Sequence, residues 1–281
     1  MPGTLFVVAT PIGNLEDITV RALRILREVA LIAAEDTRRT HHLLSRYAIT
    51  TPTTSLHEHN EGWKSSRLIE RLRGGEHVAL VSDAGTPTIA DPGQRLIRAA
   101  IDAGLRVEPI PGPSAAISAI AASGVAAESF TFLGFPPTRS KDRKLWLLEL
   151  IGAGRPVVFF EAPHRIRRTL SEILTVAGDR PTAIARELTK VHEEFIRGTV
   201  SEVLERLGEP IGEFTVVLDI GHETENIASE PGCVSDIVSE FGQMTSGEGL
   251  SKRLAIGRLA KQRGLSTNAV YDAIEKAKKL V

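Results

Sequence analysis

A chain of 281 residues with 42% hydrophobic and 25% charged side chains is long enough for two compact domains and a small appendage, and this composition excludes a disordered or fibrous protein. The formal net charge of -1 provides no global basic field, so any contact with nucleic acid must come from local patches. The single cysteine, Cys233, excludes an internal disulfide framework and a zinc site built from clustered thiolates, and it fits a reducing compartment.

The amino terminus carries a short apolar run at residues 5–9, with no basic segment before it. This run is too short for a signal peptide or a membrane span, so we expect a soluble, cytoplasmic protein. It stops at Thr10-Pro11, which predicts a buried strand that enters a tight loop. A first helix should follow, with Asp17 or Thr19 as its N-cap. Its expected apolar face consists of Val20, Leu23, Ile25 and Leu26.

Strands and helices then alternate through the first half of the chain. The pattern predicts strands at 31–34, 78–82 and 107–110, and helices at 37–47, 63–72, 94–103 and 115–122. Such alternation is typical of a mostly parallel α/β sheet. The run at 130–133 is expected to complete a first domain, residues 1–136, because the pair Pro136-Pro137 marks a linker.

The second half repeats this alternation on a smaller scale. Strands are predicted at 157–160, 183–185 and 214–220, and helices at 165–176 and 200–207, which gives a second α/β domain over residues 137–224. The polar stretch at 222–232 contains Pro231-Gly232 and is expected to be a linker. It leads to a small helical domain over residues 233–281.

Three of the predicted strands end in runs of small residues, glycines and prolines. These runs are T-P-I-G-N-L at 10–15, S-D-A-G-T-P at 82–87 and P-G-P-S-A-A at 111–116. Ligands bind at the carboxyl edge of an open α/β sheet, and small residues let a ligand approach the backbone closely. Any one loop equally fits a tight turn between a strand and a helix. The three together favour a ligand site, although the usual dinucleotide, P-loop, zincin and hydrolase motifs are missing.

Further segments extend this pattern into a resemblance to a known family. A-A-E-D-T-R at 33–38, L-H-E-H-N-E at 56–61, F-F-E-A-P-H-R at 159–165, A-R-E-L-T-K at 185–190 and G-E-F-T-V-V at 212–217 resemble the tetrapyrrole-methylase superfamily, and in particular its RNA-methylating branch. The resemblance covers about residues 4–222. It implies a two-domain class III methyltransferase of the α/β class with a small C-terminal helical domain.

The resemblance also implies a cofactor, a substrate and an assembly. The cofactor is S-adenosylmethionine, folded between the two domains and held mainly by backbone groups, which suits a transfer that needs chiefly proximity and orientation. The substrate is the 2′-hydroxyl of a cytidine in the decoding region of 16S rRNA, within an assembled small subunit, and the enzyme is a homodimer. The implied cofactor contacts are Pro11, Asp83, Ala84, Gly85, Thr86, Ile89, Ser114, Ala115 and Phe160.

One loop departs from the wider superfamily, whose cofactor loop has the sequence glycine-aspartate-proline. Here the corresponding residues are Gly85-Thr86-Pro87, and the carboxylate is displaced to Asp83. This argues against a porphyrinoid substrate. Two alternatives stay open at this point: a methyltransferase that acts on carbon in a precorrin-like macrocycle, and a metabolite-sensing regulator that binds nucleic acid without turnover.

Candidate catalytic groups follow from the chemistry of the ribose. A 2′-hydroxyl is a poor nucleophile at neutral pH, so a positioned base or a nearby cation would assist its attack. Lys190 could lower the pKa of the hydroxyl or hold a phosphate, and Glu35 or Glu187 could accept the proton. The same residues are equally consistent with an interdomain or dimer-interface cluster of salt bridges. The full set is Glu35, Asp36, Arg38, Arg186, Glu187 and Lys190.

Two further patterns concern metal and RNA. His57, Glu58 and His59 alternate on what the sequence predicts as an extended segment, which would turn the histidines away from the glutamate, so we expect no metal site. The tail predicts two amphipathic helices with apolar residues Leu254, Ile256, Leu259, Ala260, Val270, Ile274 and Ala277. Its basic residues suggest an arm that contacts RNA, or else a solvated face that only packs on the body. The candidate RNA contacts are Lys252, Arg253, Arg258, Lys261 and Arg263.

Overall fold

A computed structural model describes residues 1–221, 240–241, 244–245, 250–263, 267 and 270–271, with the backbone alone at residues 253 and 261–263. The chain divides into two compact units, Met1–Ile220 and Gly221–Val281. The predicted linker at 222–232 lies entirely outside the described residues. Within the described part, no helix is both long enough and apolar enough to cross a membrane.

The first sheet has five strands in the order β3-β2-β4-β1-β5, and all neighbouring strands are parallel. Its strands are β1 (Thr4–Val8), β2 (Leu31–Ala34), β3 (Thr53–Ser55), β4 (Val78–Val81) and β5 (Arg106–Ile110). The sequence prediction missed β3 because this short edge strand consists of two threonines and a serine, without an apolar run. The predicted parallel sheet is otherwise confirmed.

Helices connect these strands and cover both faces of the sheet. They are α1 (Val20–Glu28), α2 (Thr37–Arg46), α3 (Glu61–Arg73) and α4 (Gln94–Asp102); the next helix, α5 (Ala115–Ser123), follows β5. Of the two N-caps proposed for α1, Thr19 is the cap, because its hydroxyl accepts a hydrogen bond from the Ala22 backbone N–H at 3.1 Å. Ala22, Ile25 and Leu26 are buried. Val20 is almost fully exposed, so its assignment to the apolar face was wrong.

The second sheet has the order β6-β7-β10-β8-β9 and is mostly antiparallel, with only β6 and β7 running parallel among the described strands. Its strands are β6 (Thr131–Phe132), β7 (Val157–Glu161), β8 (Pro181–Arg186), β9 (Glu194–Thr199) and β10 (Phe214–Leu218). Its helices are α6 (Ser140–Ile151), α7 (Ile166–Ala177) and α8 (Val200–Arg206). The sequence prediction missed α6 and β9.

The connection between the two sheets differs from the expected one. The run at 130–133, assigned to the first domain, instead adds β6 to the second sheet beside β7. Ala116 and Ala119 of α5 also pack against Val158 and Val217 of that sheet. The loop after β5 therefore carries the chain from the edge of the first sheet directly to a helix that lies on the second.

A buried network of charged and polar groups fixes the start of the second half. The Thr169 hydroxyl donates to a Glu161 carboxylate oxygen at 2.5 Å and accepts from the Arg143 guanidinium at 2.7 Å. Arg165 binds the same Glu161 carboxylate and donates to the carbonyl of Pro136. These contacts tie β7, α6 and α7 to the proline pair that precedes them.

The C-terminal unit contains α9 (Lys252–Arg263) and a small apolar cluster of its own. Ala255, Leu259 and Ala260 of α9 are buried in this cluster with Phe241, Met244 and Val270. Leu254 is exposed, so its predicted place on the apolar face was wrong. Ile274 and Ala277, which were predicted on the apolar face of the second helix, lie outside the described residues.

Candidate functional site

The three loops rich in glycine and proline meet at one edge of the first sheet. Their strands, β4, β1 and β5, are parallel neighbours, so their carboxyl ends lie side by side. Thr10 and Gly85 exchange two backbone hydrogen bonds of 2.9 and 3.0 Å, which join the first loop to the second. The Thr86 hydroxyl donates to the Pro113 carbonyl at 3.4 Å, which joins the second to the third. The predicted cofactor residues of the first half thus share one edge.

The backbone of the second loop is held in unusual conformations. Gly85 has a φ of +79°, and a methyl group in place of its hydrogen would lie 3.4 Å from Ile12 Cγ2. Thr88 and Ala90 also have positive φ, although each has a side chain that disfavours it. Such strain of about 1–2 kcal/mol per residue concentrates at functional sites. Between them, Ile89 is exposed at the surface of this loop.

A group of carboxylates lies under the same loop. Asp83 Oδ1 accepts a hydrogen bond from the Asp36 N–H at 2.9 Å, and Glu35 Oε2 accepts one from the Asp83 N–H at 3.4 Å. Arg39 pairs with Asp83 at 3.4 Å. Burial, reinforced by repulsion from Asp83, raises the pKa of Glu35. Glu35 therefore holds a proton more readily than an ordinary glutamate.

Asp91 completes this group and was missed by the sequence analysis. Burial raises its pKa to about 6; a hydrogen bond with Ser82 opposes this, and the charges of Glu35 and Asp83 add to it. The signal that could have revealed it is its place in the loop that begins with Asp83. Asp91 lies four residues beyond the S-D-A-G-T-P motif at 82–87, on which the prediction of a ligand site depended.

Asp36 and Arg38 form a helix cap. Asp36 accepts a hydrogen bond from the Arg38 backbone N–H at 2.9 Å, as an N-cap residue of α2 does, and its carboxylate pairs with the Arg38 side chain at 2.7 Å. Hydrogen bonds from Arg38 lower the pKa of Asp36 to about 2, so Asp36 is a poor proton acceptor. The Arg38 side chain is 89% exposed and could meet a bound polyanion.

The candidates of the second half form a separate cluster around Lys190. The Lys190 ammonium lies 3.0 Å from Glu187 Oε1 and 3.1 Å from Glu213 Oε2. Glu187 Oε1 also accepts the Glu213 backbone N–H at 2.9 Å. Burial opposes the charge of Lys190, but its hydrogen bonds to the two glutamates outweigh burial and raise its pKa. Burial likewise opposes the charge of Glu187, yet the hydrogen bonds from Lys190 and Glu213 lower its pKa.

Two glycines make room for this cluster. A methyl group at Gly212, whose φ is +88°, would lie 2.5 Å from Glu187 Cγ and Cδ. A methyl group at Gly13 would lie 2.6 Å from Lys190 Cγ and 2.7 Å from Thr189 Oγ1. In addition, the Asn14 N–H donates to Thr189 Oγ1 at 2.9 Å. The loop after β1 therefore touches the segment that carries Lys190.

Glu213 is a second residue that the sequence analysis did not select, although it lies inside the quoted G-E-F motif. Arg186, which the analysis did select, donates to the Ile211 carbonyl at 2.8 Å and lies 3.6 Å from Glu194. Phe160 packs edge to face against Phe132, with ring centroids 5.0 Å apart. Ser114 and Ala115 occupy the N-terminus of α5, where the chain crosses to the second sheet.

The segment with the two histidines is a turn rather than an extended strand. The Asn60 N–H donates to the His57 carbonyl at 3.0 Å, and the rings of His57 and His59 meet edge to face with centroids 6.0 Å apart. The expectation of an extended segment, on which the two histidines and Glu58 would face opposite sides, was therefore wrong. In the described part of the chain, no three histidine, cysteine or acidic side chains are grouped so as to hold a metal ion.

A cavity lies away from this edge. It is an open groove of about 590 Å³ between α3 and α4, lined by residues such as Ser66, Arg73 and Arg95. None of the strand-end loops contributes to it. Among the predicted RNA contacts, Lys252 and Arg258 are exposed on α9, whereas the side chains of Arg253, Lys261 and Arg263 are outside the described part.

Known proteins match this chain over most of its length. The family model for tetrapyrrole (corrin/porphyrin) methylases matches residues 4–204. The chain is 42% identical to ribosomal RNA small subunit methyltransferase I of Bacillus subtilis over 273 residues, which cover 96% of this chain and 94% of that protein. It is 50% identical to the Thermotoga maritima protein of the same name over 218 residues, which cover 77% of this chain and 98% of that protein.

Solved structures show a similar fold at low sequence identity. A diphthine synthase aligns with a TM-score of 0.62 at 17% identity, over 77% of this chain and 90% of that one. A uroporphyrin-III-C-methyltransferase from Thermus thermophilus aligns with a TM-score of 0.53 at 20% identity, over 78% of this chain and 95% of that one. At these identities the likeness concerns the fold alone.

Proposed function

Because this chain belongs to the tetrapyrrole methylase family and, within it, to the ribosomal RNA small subunit methyltransferase I proteins, we propose that it transfers a methyl group from S-adenosylmethionine to the 2′-hydroxyl of a cytidine in the decoding region of 16S rRNA. The observation that carries the proposal is the identity of 42% across 94% of the Bacillus subtilis protein. The predicted fold class is confirmed by the same matches. The regulator alternative falls with the assignment to an enzyme family.

The edge formed by the three loops fits the proposed cofactor. When bound, S-adenosylmethionine supplies a methyl group on a positively charged sulfonium sulfur. Gly85 leaves a space that a side chain would narrow against Ile12, and the nearby carboxylates of Glu35, Asp83 and Asp91 favour a cationic ligand. We assign the binding surface to Pro11, Asp83, Ala84, Gly85, Thr86, Ile89, Ser114, Ala115 and Phe160.

The protonation states indicate a different role for each of the candidate catalytic groups. Lys190 keeps its proton because two glutamates hold its ammonium, so we assign it the role of a fixed cation that stabilises a developing alkoxide or a phosphate. Glu35, whose pKa is raised, is a better proton acceptor near neutral pH than Glu187, whose pKa is lowered. We therefore assign proton acceptance to Glu35 and the positioning of Lys190 to Glu187.

Arg38, Arg186 and Asp36 receive other roles in this proposal. Asp36 caps α2 and orients Arg38, and the exposed Arg38 guanidinium is a phosphate contact. Arg186 holds the segment before Gly212 through its hydrogen bond to Ile211. We propose that α9 contacts the RNA backbone through the exposed Lys252 and Arg258, and that Arg253, Lys261 and Arg263, whose side chains lie outside the described part, are further contacts.

The proposed setting is a cytoplasmic homodimer that acts on the assembled small subunit. Exposed Leu145 and Leu148 lie three residues apart on α6, so they form an apolar stripe that suits a contact between two copies. Sedimentation equilibrium measures the oligomeric state in solution. A monomer at micromolar concentration would refute this part of the proposal without affecting the chemistry.

Methyl transfer tests the function directly. The protein is incubated with methyl-labelled S-adenosylmethionine and small subunits that lack the modification, and the RNA is then digested with alkali. Label in an alkali-resistant dinucleotide that contains the target cytidine is the expected result, because a 2′-O-methyl group blocks cleavage at that position. Label on a base, or transfer only to a porphyrin-like macrocycle, would refute the ribose assignment.

Two pairs of variants test the assigned residues. Lys190→Ala and Glu35→Gln should each lower kcat by about a hundredfold, as is usual for loss of a charge-stabilising or proton-accepting group. The matched controls are Lys141→Ala for Lys190→Ala and Glu205→Gln for Glu35→Gln; both change exposed side chains outside the three loops and should leave kcat within twofold. If Lys190→Ala lowers kcat no more than Lys141→Ala does, Lys190 has no catalytic role. The same holds for Glu35 if Glu35→Gln has no larger effect than its control.

A further inference from the structure

An exposed tryptophan stands beside two cations at the start of α3. The Trp63 side chain is 54% exposed. The Arg67 guanidinium carbon lies 5.1 Å from the centroid of its ring, and the Lys64 ammonium lies 5.6 Å from it. Large aromatic side chains are usually buried, and the other tryptophan, Trp146, is only 5% exposed and donates its indole N–H to the Leu133 carbonyl. Trp63 is therefore open to an external partner.

Among the described residues, no carboxylate neutralises either cation beside Trp63, and hydrogen bonds hold Lys64 in place. The Lys64 ammonium donates to the Ser55 carbonyl, to the Ser55 hydroxyl at 2.8 Å and to the Thr54 hydroxyl at 3.1 Å, all of which are neutral oxygens at the end of β3. In the part of the chain that the structure describes, neither Lys64 nor Arg67 has a carboxylate within 4.0 Å. By contrast, Arg71 of the same helix is paired with Glu76 at 2.6 Å.

This group lies on the same edge of the sheet as the proposed reaction site. α3 begins after β3, and β3 is parallel to β2, β4 and β1, so the start of α3 is at the edge where the loops after β4 and β1 meet. Three strand spacings of about 4.8 Å separate β3 from β1, which is about 14 Å. A few nucleotides of single-stranded RNA span such a distance. α2, which packs on the opposite face of the sheet, also begins at this edge; it contains three arginines, two exposed histidines and no carboxylate.

We propose that Trp63, flanked by Lys64 and Arg67, is a stacking platform for an unpaired base of the RNA substrate. This inference rests on the proposed function for the identity of the RNA. The indole offers a flat apolar face to a base, and the two unpaired cations offer charge to the phosphates on either side of it. Aromatic stacking tolerates any base, so the platform positions the strand while other groups select the nucleotide. A negatively charged single strand fits this surface better than a protein partner does.

The first test compares steady-state kinetics on small subunits. Loss of a stacked base changes affinity by about five- to 150-fold. Trp63→Ala should therefore raise KM for the subunit about tenfold, with kcat within twofold and the affinity for S-adenosylmethionine unchanged. Trp63→Phe should restore most of the affinity, because a phenyl ring still stacks. Ile101→Ala, which truncates an equally exposed apolar side chain on α4, is the matched control and should leave KM unchanged.

The second test does not depend on methyl transfer. Because Trp63 is exposed and Trp146 is buried, quenching of tryptophan fluorescence by an unstructured pyrimidine oligoribonucleotide reports on Trp63. Quenching that saturates, and that Trp63→Phe abolishes, supports the platform even if the proposed methylation is not found. Absence of quenching, or an increase in KM that appears with assembled subunits but not with deproteinised 16S rRNA, would overturn the proposal in favour of a protein contact.

Discussion

Replacement of Gly212 by alanine is the sharpest test of the cluster around Lys190. With a φ of +88°, Gly212 adopts a conformation that an L-residue disfavours by about 1–2 kcal/mol. The new methyl group would also lie 2.5 Å from Glu187 Cγ and Cδ, about 1 Å closer than an ordinary carbon contact. Because the Glu187 side chain is flexible and the backbone is not, we expect Glu187 to swing away from Lys190.

The size of this effect can be separated from backbone strain by a matched variant. Gly104 has a φ of +68°, and a methyl group there would meet nothing within 4 Å, so Gly104→Ala carries the strain without the clash. A charge-assisted hydrogen bond contributes about 1.5–3 kcal/mol when buried. Lys190 is 32% exposed, which reduces the contribution of its bond to Glu187 to about 1 kcal/mol. At about 2–4 °C per kcal/mol, Gly212→Ala should melt about 2–4 °C below Gly104→Ala.

Activity should separate the two variants more clearly than stability. Misplacement of a catalytic group by 1 Å costs up to about a hundredfold in rate. Gly212→Ala should therefore lower kcat by about ten- to a hundredfold in the methyl-transfer assay, whereas Gly104→Ala should retain the wild-type kcat. If the two variants share the same Tm and the same kcat, then Glu187 does not position Lys190 and the reasoning fails.

Three further predictions concern pH, the buried network and the tail. Burial raises the pKa of Asp91 to about 6 in the folded state, whereas the pKa of an unfolded aspartate is about 4. Between these pH values the folded state binds a proton that the unfolded state has lost. This group's contribution to stability is therefore lost as pH rises from about 4 to about 6. The Tm of Asp91→Asn should consequently fall less, or rise more, than that of the wild type between pH 4 and 6, and parallel curves would contradict this. Thr169→Val removes a hydroxyl that bridges Glu161 and Arg143, and it should lower the free energy of unfolding measured in urea by about 2–4 kcal/mol. The control Thr175→Val, which changes an exposed threonine, should lower it by at most about 0.5 kcal/mol, and equal values for the two variants would refute the importance of the bridge. Neutralising Lys252 and Arg258 to glutamine should reduce the slope of log Kd for small subunits against log salt by about 1.5, and an unchanged slope would exclude both side chains from phosphate contact.

The sequence predicted the first sheet well because its strands are buried on both faces. The strands β1, β2 and β4 are apolar runs, and the turns rich in glycine and proline that follow β1 and β4 are also site loops. β3 escaped because Thr53, Thr54 and Ser55 contribute no apolar pattern and are only half-buried at an edge. In α6 the exposed Leu145 and Leu148 add apolar residues to the outer face, which obscures the helical period around the buried Trp146 and Leu150.

The candidate site was less accessible from the sequence than the fold. Spacing along the chain indicated which loops share an edge, because parallel strands align their carboxyl ends. It could not indicate that Asp36 is a helix cap, since a capping carboxylate and a catalytic one look the same in a sequence. Nor could it reveal that Glu213 pairs with Lys190, because these residues lie in loops next to β10 and β8, and the pairing of those two strands is set by tertiary structure.

The strand order of the first sheet constrains how the chain can fold during synthesis. β1 is made first, yet it lies between β4 and β5, where Leu5 pairs with Val78 and Val107. β1 therefore does not have both neighbouring strands, β4 and β5, until more than a hundred residues have left the ribosome. Contacts of such long sequence separation fold slowly and leave a strand edge open to other chains. We expect nascent chains that end before β5 to need chaperones, and the full-length protein to be released from them once β5 has been added.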